Sequence, residues 1–339
     1  MNPSEYISSQ IKLPKFTVII TAYNRKDYIY NAIDSVLNQK INHDSYQVIV
    51  ACNFDPSTFS IERDLEKLKR CEFLFLENGT IGEFLTEAVK RSKGELILFL
   101  DDDDLFSKIK LERIRNIFDE YPQLGYYHNS ALVFKDQDEL SKEIHNMKKE
   151  THLTFVTNQD LSEKIEKFIK KGGCFNLSSI AIKRIILVSY LSALSQIEND
   201  PDLFMFMITL QYGSLATHDT AELTYYRKSN STSFPIDEVK DKISVKYWLF
   251  EKAYNSNLII MKVLSDEKLR YIIMRNLLKL ETILSFRSNE NPKISLKLNI
   301  KFLYYVALDL DAYYFSLYLI AVISKNHFLS KILKFWWHK

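Results

Sequence analysis

A short apolar run that ends in four consecutive carboxylates constrains this chain more than any other feature. Gly94-Glu95-Leu96-Ile97-Leu98-Phe99-Leu100 leads directly into Asp101-Asp102-Asp103-Asp104. A brief run, apolar throughout and bounded by glycine, reads as a strand buried on both faces. Four like charges closing such a strand repel one another unless something positive sits among them. A hard divalent cation, Mg²⁺ or Mn²⁺, held together with a phosphate-bearing ligand supplies that charge, because both ions favour oxygen donors. The carboxyl end of a strand is also where open α/β sheets bind ligands. The competing reading is an acidic loop into the next helix with Ser107 as its N-cap, but one cap does not require four acids.

The residues around this run alternate strand and helix signals. Phe16 to Thr21 is β-branched and apolar, and Asp27 to Leu37 places Ile29, Ile33, Val36 and Leu37 on one helical face. Strands follow at Tyr46–Ala51, Glu72–Leu76 and Glu95–Leu100, separated by helical stripes at Ile61, Leu65, Leu68 and at Ile81, Leu85, Ala88, Val89. A helix over Ile109–Phe118 closes at Tyr121-Pro122. This order predicts crossover units and an α/β fold with a mostly parallel central sheet flanked by helices. Beyond Leu124 the pattern loosens. Gly125–Phe134 and Ser178–Ile182 read as strands and 135–157 as a polar loop. Asp160 and Glu163 resemble a capping box for a helix that ends at Gly172-Gly173. Asp200-Pro201 opens a helix to about Tyr212, since Asp at N-cap with Pro at N1 is a strong start signal. From Pro235 onward only helical patterns remain, including an amphipathic stretch over 265–288. The expected organisation is a body over 1–235, with halves at about 15–122 and 123–235, and an all-helical C-terminal region over 236–339.

Composition removes several function classes. A formal charge of +2 gives no global bias toward nucleic acid, so none is expected as a partner. Seven glycines form neither GxGxxG nor GxxxxGK[ST], which argues against a glycine-rich dinucleotide turn and a P-loop. Cys52, Cys71 and Cys174 have no zinc spacing and suit a reducing compartment, and the first fifteen residues have no signal-peptide core. Residues 293–339 carry seven lysines and no arginine, with Lys293, Lys297 and Lys301 on one helical face and an aromatic end at Phe335-Trp336-Trp337. That combination fits a helix lying in a membrane interface; a helix packed on the body with exposed lysines fits it as well. Peripheral contact through 293–339 would place a cytoplasmic protein at the inner face of the cell membrane.

In these residues the chain resembles the family 2 glycosyltransferases, inverting enzymes with the GT-A (nucleotide-diphospho-sugar transferase) fold. The resemblance covers about residues 15–235 and begins at Phe16-Thr17-Val18-Ile19-Ile20-Thr21-Ala22-Tyr23-Asn24-Arg25, continuing through Ala32–Gln39. It implies that Thr21, Ala22 and Tyr23 line the base of a nucleotide sugar, with Asn24 and Arg25 close by. Glu77-Asn78-Gly79 is the second match and implies donor contacts from Asn78 and Gly79. The third is the acid run, where Asp101 and Asp103 stand as the first and last acids of a DxD motif. Asp101 would then contact ribose or sugar hydroxyls, Asp102 fill the variable place, and Asp103 hold the Mn²⁺ or Mg²⁺ that bridges the diphosphate. A register shifted by one residue stays open. Glu198-Asn199-Asp200-Pro201 resembles the family's acidic motif ahead of a helix, which implies Asp200 as the catalytic base, with Glu198 and Asp202 in reserve. Asp200 read as a helix cap alone is the rival. Leu223-Thr224-Tyr225-Tyr226-Arg227 resembles a Tyr-Arg strand whose arginine aids the phosphates; the rival is an ordinary surface arginine.

Two departures bear on substrate. Where the family has Asp-Asp-Gly-Ser after its second strand, this chain has Ala51-Cys52-Asn53-Phe54-Asp55, so Asn53 or Cys52 takes the base-reading place. Phe84-Leu85-Thr86 replaces the usual Ala-Arg-Asn. A uridine, guanosine or thymidine diphosphate sugar therefore remains open as donor, and the acceptor implied is a saccharide, a lipid-linked sugar or a glycolipid. A degenerate GT-A module that binds a sugar nucleotide without turnover is the non-enzymatic alternative. An aspartyl phosphotransferase expects Asp-x-Asp-x-Thr, and Leu105 stands where its threonine belongs.

Overall fold

The structure, a computed structural model, describes residues 13–23, 26–54, 68–136, 138–141, 150–228 and 242–285. Among them one sheet holds strands β1 (Phe16–Ala22), β2 (Tyr46–Cys52), β3 (Cys71–Phe75), β4 (Leu96–Asp101), β5 (Leu105–Phe106), β6 (Leu124–Phe134), β7 (Leu153–Val156), β8 (Ile180–Lys183) and β9 (Leu215–Arg227). Their order is β3-β2-β1-β4-β8-β6-β9-β5, with β7 also on β9. Strands β1 to β4 are mutually parallel, β8 runs against both β4 and β6, and β9 is parallel to β6. The mostly parallel α/β sheet expected from the alternating pattern is therefore present.

The strands alternate their side chains between two cores, the period of two inherent in a pleated strand. Ile19, Ile49, Ile97 and Phe99 enter one core together with helices α2 (Ile81–Arg91), α4 (Ser162–Lys170), α5 (Arg184–Ser189), α6 (Leu191–Leu194) and α7 (Pro201–Gln211). Val18, Ile20, Val48, Val50, Leu98 and Leu100 enter the other, against α1 (Ile29–Leu37) and α3 (Lys110–Glu120). Both faces of β1 and β4 are covered, which is why these segments are apolar but for Thr17 and Thr21 in β1 and the closing Asp101 in β4. Two further helices, α8 (Lys242–Val263) and α9 (Glu267–Ser285), bury Ala253, Ile260, Leu269, Ile273 and Leu277 in the first core. Arg275 of α9 pairs with Glu166 of α4 at 2.7 Å, and Lys268 Nζ donates to the carbonyls of Asn158 and Asp160.

Several expectations change. The polar stretch 135–157 contains β7, an edge strand antiparallel to β9 whose four residues are too few for a clear alternation. Asp160 does not cap α4; Leu161 occupies the N-cap without a side-chain bond, while Asp160 accepts from the Thr157 N–H and Lys164 Nζ. Ser107 does not cap α3 either, because Ile109 stands at that N-cap and Ser107 donates its N–H to the Leu223 carbonyl. The 178–182 strand begins two residues later, at Ile180, after a 3₁₀ turn over Leu177–Ser179. The stripe at Ile61 and Leu65, and the basic aromatic stretch 293–339, lie outside the described residues. Among the described residues no helix is long and apolar enough to cross a membrane.

Candidate functional site

Parallel pairing sets β1 and β4 to the same height, with Thr21 opposite Asp101. Thr21 Oγ1 donates to Asp101 Oδ1 at 3.1 Å, and the Thr21 carbonyl accepts from the Asp102 N–H. The Asp104 N–H closes a tight turn onto the Asp101 carbonyl, and Ser178 Oγ accepts from the Asp101 N–H. The acid run is thus a bonded corner at the carboxyl edge of the sheet. Asp102, Asp103 and Asp104 are all buried.

Two cations of the chain itself sit within this corner. The Arg227 guanidinium lies between the rings of Tyr28 and Phe134, 4.4 and 4.5 Å from their centroids. Its Nε donates to the Asp103 carbonyl at 3.1 Å, and the Arg227 N–H donates to Asp104 Oδ1 at 2.9 Å. Arg227 is buried, so the surface-arginine reading does not hold. Lys110 is the second cation, with no solvent exposure at all. Its Nζ donates to the Ser178 carbonyl at 2.6 Å and to Thr224 Oγ1 at 2.8 Å, and lies 3.9 Å from the Phe106 ring centroid. Burial pulls the Lys110 ammonium well below its ordinary range, and the charge of Asp104 opposes that pull. Burial, then the neighbouring Asp101 carboxylate, raises Asp104 well above the usual carboxylate range, and its Oδ2 is buried with no hydrogen-bond partner among the described residues. Sequence reasoning missed Lys110. The signal was a lysine on the same helical stripe as Ile114 and Ile117, where a solvated charge does not belong.

On the other side of Thr21 the chain builds an open edge. Ala22 is buried and pairs with Cys52, which brings Asn53 beside Tyr23 at the ends of adjacent strands. Tyr23 is 41% exposed, and its ring meets that of Phe84 edge-on at 6.0 Å. Gly79 packs on the same Phe84: a Cβ there would lie 3.2 Å from the ring and 3.1 Å from Glu83 Oε2. Asn78 is exposed just before Thr80, which opens α2 with a full capping box to Glu83. Thr21, Ala22, Tyr23, Asn53, Asn78, Gly79 and Asp101 therefore converge on one edge. Asn24 and Arg25 lie outside the described residues.

Asp200 approaches from α7. It is the N-cap residue, yet its side chain makes no capping bond, so the cap-only reading fails. Its backbone is left-handed, with φ 55° and ψ 48°, and Asn199 Nδ2 donates to its Oδ1 at 3.0 Å. Burial raises the Asp200 carboxyl above its usual range. Burial, then the charge of Asp200, pushes the neighbouring Asp202 up to about 7. The strand-leading segment Cys174–Ser178 connects this helix to the acid corner. The Cys174 thiol is pushed up by burial and then by Asp202 and Asp200, while Ser178 holds Asp101. Phe175, 63% exposed, stands on that segment with its ring 6.3 Å from Tyr226.

The donor set fits a hard cation shared with phosphate. Among the described residues no three His, Cys, Asp or Glu side chains form a ready-made cage. Mg²⁺ is ordinarily held by one or two carboxylates plus substrate phosphates, and the carboxylates of a fixed corner at the sheet edge meet that need.

The family described as Glycosyl transferase family 2 matches residues 17–183. TuaG of Bacillus subtilis, named for teichuronic acid biosynthesis, is 31% identical over 134 residues, which are 39% of this chain and 53% of TuaG. The poly(ribitol-phosphate) beta-N-acetylglucosaminyltransferase TarS of Staphylococcus aureus is 29% identical over 124 residues, 36% of this chain and 21% of TarS. The chain thus matches about half of the first relative's length and about a fifth of the second's. In three dimensions it superposes on the crystal structure of S. aureus TarS 1-349 in complex with UDP-GlcNAc with a TM-score of 0.62 at 16% identity, covering 96% of this chain and 91% of that one. The fold is that of a GT-A glycosyltransferase.

Proposed function

Residues 17–183 belong to glycosyl transferase family 2, and from that premise we propose that the chain moves a sugar, with inversion, from a nucleoside diphosphate to an acceptor hydroxyl. The observation that carries this reading is the bonded corner of Asp101–Asp104 beside Thr21, Tyr23 and Asn53. The donor best supported is a uridine diphosphate sugar, since a relative of the same fold was crystallised with UDP-GlcNAc. Polyol-phosphate polymers, named as the substrate of that relative, join lipid-linked sugars as the acceptor class.

In this mechanism Tyr23 and Asn53 border the base, and Asn78 and Gly79 close the donor edge. Asp101 is oriented by Thr21 toward sugar hydroxyls, and Asp103 would hold a Mn²⁺ or Mg²⁺ ion at the diphosphate. That ion supplies Lewis-acid neutralisation of the leaving nucleoside diphosphate. Arg227 secures the Asp103 carbonyl and so holds the backbone that carries that carboxylate. Asp200 takes the acceptor hydroxyl's proton as its oxygen bonds to the anomeric carbon and the bond to the diphosphate oxygen breaks. A carboxylate raised by burial is the stronger base. Asp202, pushed up to about 7 by burial and then by the charge of Asp200, titrates near neutrality beside it. Peripheral attachment to the inner membrane face through 293–339 completes the proposal.

The test is a thermal-shift panel of uridine, guanosine and thymidine diphosphate sugars with and without Mn²⁺, followed by product release. Stabilisation by one nucleotide class together with its turnover is expected. Stabilisation without turnover would leave the degenerate module, and neither effect would overturn the assignment.

A further inference from the structure

Ser256 of α8 is fully buried, more than fifty residues from Asp200 in sequence, and it reaches the turn that carries the candidate base. Its Oγ accepts from the Glu198 N–H at 3.1 Å and from the Asn199 N–H at 3.0 Å. Those are the two amides directly before Asp200, whose left-handed backbone no glycine relieves. A non-glycine residue in that region persists only where its surroundings over-determine it. The peptide before Asp200 is pinned by this one hydroxyl, and the Asp200 carboxylate by Asn199 Nδ2. Ser256 is itself held within the α8–α9 pair. Asn276 Nδ2 of α9 donates to Asn257 Oδ1, and Gln211 at the end of α7 accepts from the Ser265 and Asp266 N–H groups between the two helices.

We propose that Ser256 is a positioning residue for Asp200, and that the α8–α9 pair belongs to the catalytic unit through it. The proposal rests on the reading of Asp200 as base. Removing the hydroxyl frees two amides, lets the Glu198–Asp200 turn relax, and misdirects the carboxylate without touching the donor edge.

The experiment uses the full chain and the donor selected by the panel above, with UDP-GlcNAc as first probe. Ser256→Ala is expected to lower kcat about 10- to 100-fold, the scale of an ångström-level misplacement. Donor KM should stay unchanged and the acid limb of the kcat–pH profile should move. Hydrogen exchange at the 198 and 199 amides, which needs no substrate, should quicken at the same time. Ser256→Thr, which retains the hydroxyl, should restore both. If Ser256→Ala does not fold, Ser256→Cys, of similar volume but a weak acceptor, carries the same expectation. Wild-type kcat and unchanged amide exchange in the folded variant would overturn the proposal, as would a fall in donor affinity equal to the fall in kcat. Asp200→Asn separates the two readings. If it retains turnover, the base assignment fails; if it is inactive while Ser256→Ala is normal, the positioning role alone fails.

Discussion

Replacing Lys110 by methionine tests the electrostatics of the acid corner in a way that does not depend on substrate. In the wild-type protein Lys110 and Asp104 together hold one proton whether the pair is ionic or neutral. The unfolded chain, with a protonated lysine and an ionised aspartate, also holds one between about pH 5 and 10. Their contribution to stability is therefore nearly flat across that range. In Lys110→Met the folded protein keeps Asp104 protonated, because burial and Asp101 already raise it, while the unfolded chain releases that proton above about pH 4. The folded form then binds more protons than the unfolded one, so stability falls as pH rises, by about 1.4 kcal/mol per unit until the raised pKa is passed. Two hydrogen bonds from a cation are also lost. Ser178 O and Thr224 Oγ1 retain each other, and Asn129 Nδ2 remains on Thr224 Oγ1, which limits that loss to about 2 kcal/mol. The expected destabilisation is about 2 kcal/mol near pH 5, from the lost hydrogen bonds, and it grows as pH rises toward the raised Asp104 pKa. Urea unfolding of both proteins at pH 5 and at pH 7 measures it. Parallel stability–pH curves would refute the argument.

Three further outcomes follow from the geometry. Asp103→Ala should abolish metal-dependent donor binding in calorimetry while leaving the melting temperature close to wild type. Because burial raises Asp200, turnover should be lost as pH falls through a value above the ordinary carboxylate range, and an acid limb centred near 4 would speak against Asp200 as base. Gly82→Ala should destabilise by about 1–3 kcal/mol in thermal melts, since the added methyl would press on the carbonyl oxygens of Leu194 and Ile197 where α2 meets α6.

The parallel strands were legible because both of their faces are covered, which writes an unbroken apolar run into 96–100 and a β-branched, largely apolar one into 16–22. The acid corner was legible for the opposite reason: four charges have no place at a buried strand end unless something answers them. Half of that answer was hidden. Lys110 is one residue on an otherwise ordinary amphipathic helix, and its meaning depends on Ser178 and Thr224, which are far away in sequence. The role of Asp200 could be read only as cap or base, since the left-handed turn that removes it from capping is held by Asn199 and by Ser256 on a later helix. Strand β7 was lost in a polar stretch because pairing along β9, rather than its own four side chains, creates it. Periodicity also gave no sign that the helices after 242 share a core with the sheet.

That shared core bears on how the molecule can be dissected. The motif-bearing stretch ends near Arg227, which invites excision of a minimal enzyme at about 235. Such a fragment would leave α7 and α4 without the cover of Ile260, Leu269, Ile273 and Leu277, and would set the Arg275 partner Glu166 loose in water. A bare apolar surface of that kind drives self-association. Chimaeras that exchange donor specificity between relatives should therefore carry the helical pair along with the sheet it shields, and place their junctions beyond Ser285.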